Sequence, residues 1–262
     1  MNYFVWDVDP EFLSFGFLHI RWYGLMFLGG FLTGFMLMKW IYIREKQNVK
    51  ELDSLLLYIM AGAVIGSRLG HVLFYDPVYY FSNPLEILYV WKGGLASHGG
   101  AVGVILAIII FAKRYNKPIM WLLSRATISG TAAAIFVRIG NFFNSEILGT
   151  TTNLPWAVIF KRVDLLPRHP VQLYEALSYF CVLLLLIFIY KRVSNDFATK
   201  LLPGVFLVAL FSARFLVEFA KTEQASYEVV LPITTGQLLS LPYILVGLIW
   251  LIWAFKNKKK EI

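Results

Sequence analysis

The sequence predicts an all-α polytopic membrane protein with seven transmembrane helices, and three observations carry that prediction. Of its 262 residues 58% are apolar and only 15% are charged, against roughly 25% charged in an ordinary soluble chain. The apolar residues fall in runs of about 20, the length that crosses a bilayer core of ~30 Å. More than half of the 24 Lys and Arg collect in four short segments between or after those runs.

The runs cover 22–40, 55–75, 97–112, 119–137, 173–190, 201–220 and 238–255. Little polar sequence is left between them, so 1–262 reads as a single integral membrane domain. The leader MNYFVWDVDPEF has no basic n-region, and no small-residue cleavage site follows the first run, so that run is expected to be a span rather than a cleavable signal peptide. The basic segments are Lys39 to Lys50, Lys113 to Lys117, Lys191 to Lys200 and Lys256 to Lys260. They alternate with segments poorer in Lys and Arg, which by the positive-inside rule places the N-terminus outside and the C-terminus inside. Seven spans are the odd number that this orientation requires. The net charge of +8 therefore speaks for a membrane, with no nucleic acid expected as partner. Cys181 is the only cysteine, which excludes intrachain disulfides and cysteine-rich metal sites; inside span five it is expected to be a packing residue.

Five arginines lie within or at the edge of the runs: Arg21, Arg68, Arg125, Arg138 and Arg214. A charge at mid-helix costs at least ~2.5 kcal/mol and needs a partner or a function. With the predicted topology, Arg21 and Tyr23 open span one, Arg68 and His71 lie late in span two, and His98 opens span three. Arg138 closes span four, and Arg214 and Glu218 lie late in span six. All of these fall towards the outer surface, whereas Arg125 falls towards the cytoplasm. Arg214 with Glu218, Arg68 with His71, and Arg138 with Asn141 each share a helix face. Taken singly, any of these arginines is equally well explained by an internal ion pair. As a set at one depth, they suit a phosphate, because guanidinium forks donate paired charge-assisted hydrogen bonds. An anionic phospholipid could offer such a phosphate while its tails stay in the bilayer.

Other stretches add detail. WKGGLASHGGAVG, 91–103, sets His98 among glycines; its imidazole suits a proton acceptor, or simply a helix entry satisfied by a loop carbonyl. Gly62, Gly66 and Gly70, like Gly30 and Gly34, have the small-residue spacing of close helix packing. In RHPVQLYEA, 168–176, Pro170 can start a helix, and His169, Gln172 and Glu175 suit either helix entry or cavity lining. TTNLPWAVIFKRVDLLPRHP, 151–170, completes an external arm over 150–170, either a short β-hairpin or an amphipathic segment, with Trp156 and Phe160 suited to an interface. A second outer loop, 76–92, is aromatic and is expected to rest on the surface. The chain has no GxSxG, no HExxH, no Walker loop and no carboxylate-rich metal cluster. No metal and no organic cofactor are expected, and the nucleophile is expected to come from the substrate.

RIGNFFNSEILG, 138–149, resembles the signature G-R-x-G-N-F-x-N-x-E-x-x-G of the bacterial prolipoprotein diacylglyceryl transferases. RWYG at 21–24, GGLASHGG at 93–100, RHPVQLYE at 168–175, RFLVEF at 214–219 and GQLLSLP at 236–242 resemble further blocks of that family, in its order. Two positions depart from the pattern: Val137 stands where the signature begins with glycine, and Ser124 where many relatives carry aspartate.

The resemblance implies transfer of an sn-1,2-diacylglyceryl group from phosphatidylglycerol to the lipobox cysteine of a prolipoprotein signal peptide, with a thioether formed and glycerol-1-phosphate released. It implies a monomer in the bacterial inner membrane, working on its outer, periplasmic side. Carried onto matching positions, Arg138 and Arg214 would bind and neutralise the phosphate. His98 would serve as base or orienting group for the thiol. Asn141, Asn144 and Glu146 would hold the head group or the arginines, Glu218 would orient Arg214, Tyr23 would position lipid, and Gly149 would allow the closing turn. Two rival readings are a transporter or flippase for an anionic lipid, which would need polar groups through both leaflets, and an intramembrane hydrolase using Ser97 and His98, whose adjacent side chains diverge on a helix.

Overall fold

The computed structural model of the chain describes residues 3–16, 18–222 and 233–258. Seven helices are long and apolar enough to cross a membrane, and the predicted all-α polytopic fold is the one observed. They are α1 (Trp22–Arg44), α2 (Leu52–Phe74), α4 (Ser97–Arg114), α5 (Ile119–Phe143), α6 (Val171–Arg192), α7 (Asn195–Glu218) and α8 (Thr235–Lys256), with the short α3 (Pro77–Ser82) between α2 and α4. Each predicted run lies on one of them. α7 starts six residues before its predicted run, at Asn195, and α5 continues six residues past its own, to Phe143, so Arg138 is inside the helix rather than at its end. Lys259 and Lys260 of the basic tail, like Met1 and Asn2 of the leader, lie outside the described residues. The described residues form two compact units, one from 38–125 and one from 1–37 with 126–262.

The unit of 38–125 is organised by α2 and α4, and glycines on both helices explain their approach. A Cβ on Gly66 would collide with the Gly99 carbonyl oxygen, and one on Gly99 with that of Gly66. Gly62 and Gly103 exclude each other's Cβ in the same way, so the small-residue spacing is structural, as read from the sequence. Between α2 and α4 lie α3 and two 3-10 turns, Pro84–Leu88 and Val90–Lys92. Arg68 is 3% exposed and is consumed by this connection. Its Nε donates to Ile87 O at 2.9 Å, its Nη1 to Gly93 O at 2.6 Å and Gly94 O at 3.1 Å, and its Nη2 to Glu86 O. Tyr80 lies under the guanidinium at 4.8 Å. The expectation that Arg68 belongs to an anion-binding set is therefore corrected: its donors close a loop.

Arg125, fully buried, is paired within the same unit. Its Nε meets Glu45 Oε1 at 2.7 Å and its Nη2 meets Glu45 Oε2 at 3.2 Å, while Trp121 Nε1 donates to Glu45 Oε2 at 2.6 Å. Ser124 Oγ accepts from Arg125 Nη1 at 2.9 Å, so the departure at Ser124 still supplies an oxygen to this arginine.

In the other unit, small residues again set the packing. A Cβ on Gly30 of α1 would lie 3.2 Å from Ala133 Cα of α5, and one on Gly247 of α8 would lie 3.0 Å from Val208 N of α7. At one end of these helices sits a small β-structure. The arm expected at 150–170 is a hairpin, β4 (Val158–Phe160) antiparallel to β5 (Pro167–Arg168), and β4 also pairs in parallel with β1 (Phe4–Trp6). A second hairpin joins β2 (Glu11–Phe15) to β3 (Leu18–Arg21), which leads into α1. Lys161 pairs with Asp7 across β1 and β4. Trp6 packs 4.4 Å from Phe142, between centroids, in a cluster with Val158, Phe160 and Leu148.

Two expectations change here. Phe160 is 0% exposed and is a core residue of the arm, not an interfacial one, because β1 and α5 enclose it; Trp156 is exposed as expected. Cys181 lies on the exposed face of α6, not in the packing, because the apolar character of that span faces outward as well as inward.

The arm carries one bidentate ion pair, in which Arg168 Nη2 and Nε lie 2.6 Å and 3.1 Å from Asp164 Oδ2. The hydrogen bonds from Arg168, helped by the Leu166 N–H, hold the Asp164 carboxyl below its ordinary value of 3.8. A depressed carboxyl stabilises the fold above its unfolded pKa, and that contribution disappears as pH falls through the folded value. Asp164→Asn should therefore loosen 158–168 at pH 7, with the difference from the parent vanishing below the ordinary carboxylate range; hydrogen exchange of that segment at the two pH values measures it. Glu45→Ala, which removes the carboxylate paired with the buried Arg125, should cost about 3–5 kcal/mol of stability, read as a lowered thermal midpoint of the detergent-solubilised protein.

Candidate active site

The polar run after α5 begins with a helix stop of unusual composition. Ser145 has φ +55°, the left-handed conformation that glycine most often supplies at this position. Ser145 N donates to Phe142 O at 3.1 Å and Glu146 N to Asn141 O at 3.0 Å. These two bonds form a Schellman closure, which folds the chain back over the last helical turn. The reversal brings Glu146 onto the two asparagines: Asn141 Nδ2 donates to Glu146 Oε2 and Asn144 Nδ2 to Glu146 Oε1, each at 3.0 Å. Asn141 Oδ1 in turn accepts from Arg138 Nη1 at 3.3 Å. A second left-handed residue, Ile147 at φ +55°, carries the chain onward to Gly149.

Gly149 is where backbones meet. It bridges to Lys221, and its carbonyl accepts from Arg168 Nη1 at 3.0 Å. A Cβ there would collide with His169 O and lie 2.9 Å from Ala220 O, so no larger residue fits without moving the chain. Thr150 N donates to Ala220 O at 2.8 Å and Thr222 N to Leu148 O at 3.1 Å. The segment 148–150 thus ties the end of α7 to the entry of α6.

These ties assemble a row of buried charges. Arg138 Nε lies 3.2 Å from Glu175 Oε2, Glu175 Oε1 lies 2.9 Å from Lys221 Nζ, and Lys221 Nζ lies 2.9 Å from Glu218 Oε2. The side chain of Arg138 is 16% exposed, and those of Glu175, Lys221 and Glu218 are 0%, 3% and 7% exposed. Tyr179 OH reaches Glu175 Oε1 at 3.4 Å, and Gln172 Nε2 donates to Glu146 O. Behind Glu218 stands the first turn of α8, closed by a capping box between Thr234 and Gln237. A Cβ on Gly236 would overlap the Glu218 carboxylate, so the carboxylate rests against a helix N-terminus, where negative charge is favoured.

The unit of 1–37 and 126–262 therefore brings together Arg138, Asn141, Asn144, Glu146, Gly149 and Glu218 in one bonded network. Tyr23 joins them: a Cβ on Gly140 would lie 2.9 Å from its ring, and the charges of Glu146 and Arg138 act on its hydroxyl. Arg214 lies close enough for its charge, with that of Arg138, to act on Tyr179. It has no hydrogen bond or ion pair among the described residues. The expectation that Glu218 orients Arg214 is not met by contact, because Glu218 is paired with Lys221 instead. His98 belongs to the other unit, exposed in the first turn of α4.

Lys221 and Tyr179 were not singled out by the sequence. Lys221 sits outside the apolar runs, and its only sequence signal is the i,i+3 spacing from Glu218. Apart from Arg138 Nε and Glu175 Oε2, which face each other as an ion pair, four buried polar atoms around the network have no hydrogen-bond partner among the described residues: Asn144 Oδ1, Ser145 Oγ, Gln172 Oε1 and Gln237 Nε2. Such atoms are uncommon in folded proteins.

Comparison with known proteins gives the same direction. The family model described as prolipoprotein diacylglyceryl transferase matches residues 10–253. The chain is 45% identical to the phosphatidylglycerol–prolipoprotein diacylglyceryl transferase of Tolumonas auensis, over 97% of this chain and 99% of that protein. It is 44% identical to the protein of the same name from Chloroherpeton thalassium, over 99% and 97% of the two chains. A third, from Porphyromonas gingivalis, is 41% identical over 97% and 96%. With its signature residues bonded into one network and its length matched almost end to end, the chain belongs to the prolipoprotein diacylglyceryl transferase family.

Proposed function

We propose that this protein transfers the diacylglyceryl group of phosphatidylglycerol to the lipobox cysteine of a prolipoprotein. The observation that carries the proposal is a complementarity of unused groups. Arg214, and the Nη2 of Arg138, are guanidinium donors with no partner among the described residues, suited to a phosphodiester. Asn144 Oδ1 and Gln172 Oε1, on side chains whose amide nitrogens donate to Glu146, are buried acceptors without donors among the described residues, suited to the hydroxyls of a glycerol head group. The transporter reading has no comparable support.

The reaction forms one bond and breaks one. The cysteine sulfur attacks the sn-3 carbon of the diacylglyceryl group as the C–O bond to phosphate breaks; glycerol-1-phosphate leaves and a thioether remains. Negative charge grows on the departing phosphate, where Arg138 and Arg214 oppose it. A free thiol has a pKa of ~8.5, so its proton must be taken up as the sulfur becomes nucleophilic; His98 is the residue we assign to this. Asn141, Asn144 and Glu146 hold Arg138 and the head group, Gly149 keeps the signature loop closed against Lys221, and Tyr23 positions the lipid. Glu218 acts through its ion pair rather than on the substrate. The distribution of Lys and Arg supports an active site on the outer side of the bacterial inner membrane; a monomer is part of the proposal and follows from the family resemblance alone.

Purified protein, phosphatidylglycerol and a lipobox peptide with one cysteine should give a peptide heavier by one diacylglyceryl group on mass spectrometry. A peptide with serine in place of the cysteine should stay unmodified; an unmodified cysteine peptide, with the enzyme folded, would refute transfer. Arg138→Gln and Arg214→Gln should each lower the transfer rate about 10²–10³-fold, the usual loss for one donor to a developing anion. His98→Gln should slow transfer while leaving phosphatidylglycerol affinity near that of the parent, and a weakened affinity would move His98 from proton acceptor to lipid contact.

A further inference from the structure

Arg214 and Glu218 stand four residues apart on α7, a spacing that puts an arginine and a glutamate on one helix face within reach of each other. They do not pair. Glu218 is turned to Lys221 Nζ at 2.9 Å, and the same ammonium holds Glu175 at 2.9 Å. We propose that Lys221 is a positioning residue that occupies both carboxylates, so that Arg214 keeps its guanidinium unpaired for an anionic phosphate ester. The inference rests on the reading that Arg214 contacts the phosphate of phosphatidylglycerol.

Three features make Lys221 suited to this. Its backbone is pinned on both sides: Thr150 N donates to Ala220 O, Thr222 N donates to Leu148 O, and Gly149 bridges to Lys221 itself. The signature loop thus sets the height of the ammonium relative to α7. Its Nζ is a compact charge with three donors, able to meet carboxylates arriving from α6 and α7 at once, and the side chain is 3% exposed. Finally, Glu218 is held from behind by Gly236, whose absent side chain leaves room for the carboxylate. Without Lys221, Glu218 would stand buried and uncompensated with Arg214 as the nearest cation on its own helix, and burying an unpaired charge is strongly unfavourable. The carboxylate would then turn to Arg214 and compete with the phosphate. The same substitution would leave Glu175 to bind Arg138 alone.

The test is a double-mutant cycle on lipid affinity, read by titrating the detergent-solubilised full chain with short-chain phosphatidylglycerol. Lys221→Met should weaken binding about tenfold or more, the scale of one charge-assisted hydrogen bond lost to a competitor. Lys221→Arg, which keeps the charge, should stay close to the parent. In an Arg214→Gln background Lys221→Met should cause little further loss, because its effect acts through Arg214. Adding Glu218→Gln to Lys221→Met should recover affinity by removing the competing carboxylate. Thermal unfolding of each variant separates folding from binding. Equal losses from Lys221→Met with and without Arg214, or parental affinity in Lys221→Met, would overturn the proposal. A parent chain that does not bind phosphatidylglycerol would instead overturn the function on which it rests.

Discussion

Charge buried among apolar helices must be matched by charge, and the row Arg138–Glu175–Lys221–Glu218 is where this chain meets that constraint. Each member is at least mostly withdrawn from solvent, and removing any one partner would leave another charge uncompensated. The row links the end of α5 to the start of α6 and the end of α7, and α8 abuts it through Gly236. It therefore does structural and chemical work together. The groups that hold the helix ends at one place leave Arg214, and the Nη2 of Arg138, without a partner among the described residues.

The turn that starts the row explains why the signature has its particular spacing. Asn141 accepts from Arg138 with one end of its amide and donates to Glu146 with the other. That is possible only if the chain reverses between Asn144 and Glu146, which the Schellman closure at Ser145 achieves. The cost is a serine and an isoleucine in the left-handed region, of the kind that persists where surrounding bonds over-determine the backbone. Here those bonds are the Glu146 carboxylate between two asparagine amides and the pairing of 148–150 with 220–222.

The same kind of charge serves different ends in the two units. Arg68 spends its donors on carbonyls of the 86–94 connection, and Arg125 is locked to Glu45. Both are intramembrane arginines by sequence, and neither offers a fork to a ligand. A guanidinium in an apolar run thus marks a buried obligation, and only the count of its remaining donors separates a structural arginine from one free to bind.

Seven spans, the close packing at Gly62, Gly66 and Gly70, and an arm over 150–170, with a hairpin as one of its two possible forms, were legible in the sequence. Each follows from local rules of hydrophobic length, small-residue spacing and turn composition that operate within one segment. The residues Arg138, Asn141, Asn144, Glu146 and Gly149 stood out as a dense polar run at the end of an apolar span, and their proposed roles came from the resemblance to the family signature. What the sequence could not decide was pairing at a distance. Glu218 is three residues from Lys221 and four from Arg214, and periodicity permits either partner. The choice falls to Lys221 because Gly149 and its neighbours pin that backbone and because Glu175 arrives from α6 on the other side. Phe160 likewise reads as interfacial until β1, more than 150 residues away in the chain, covers it. The sequence by itself determined which residues carry charge into the apolar region; only the tertiary structure decided which of those charges are spent on one another, because that depends on helices meeting end to end.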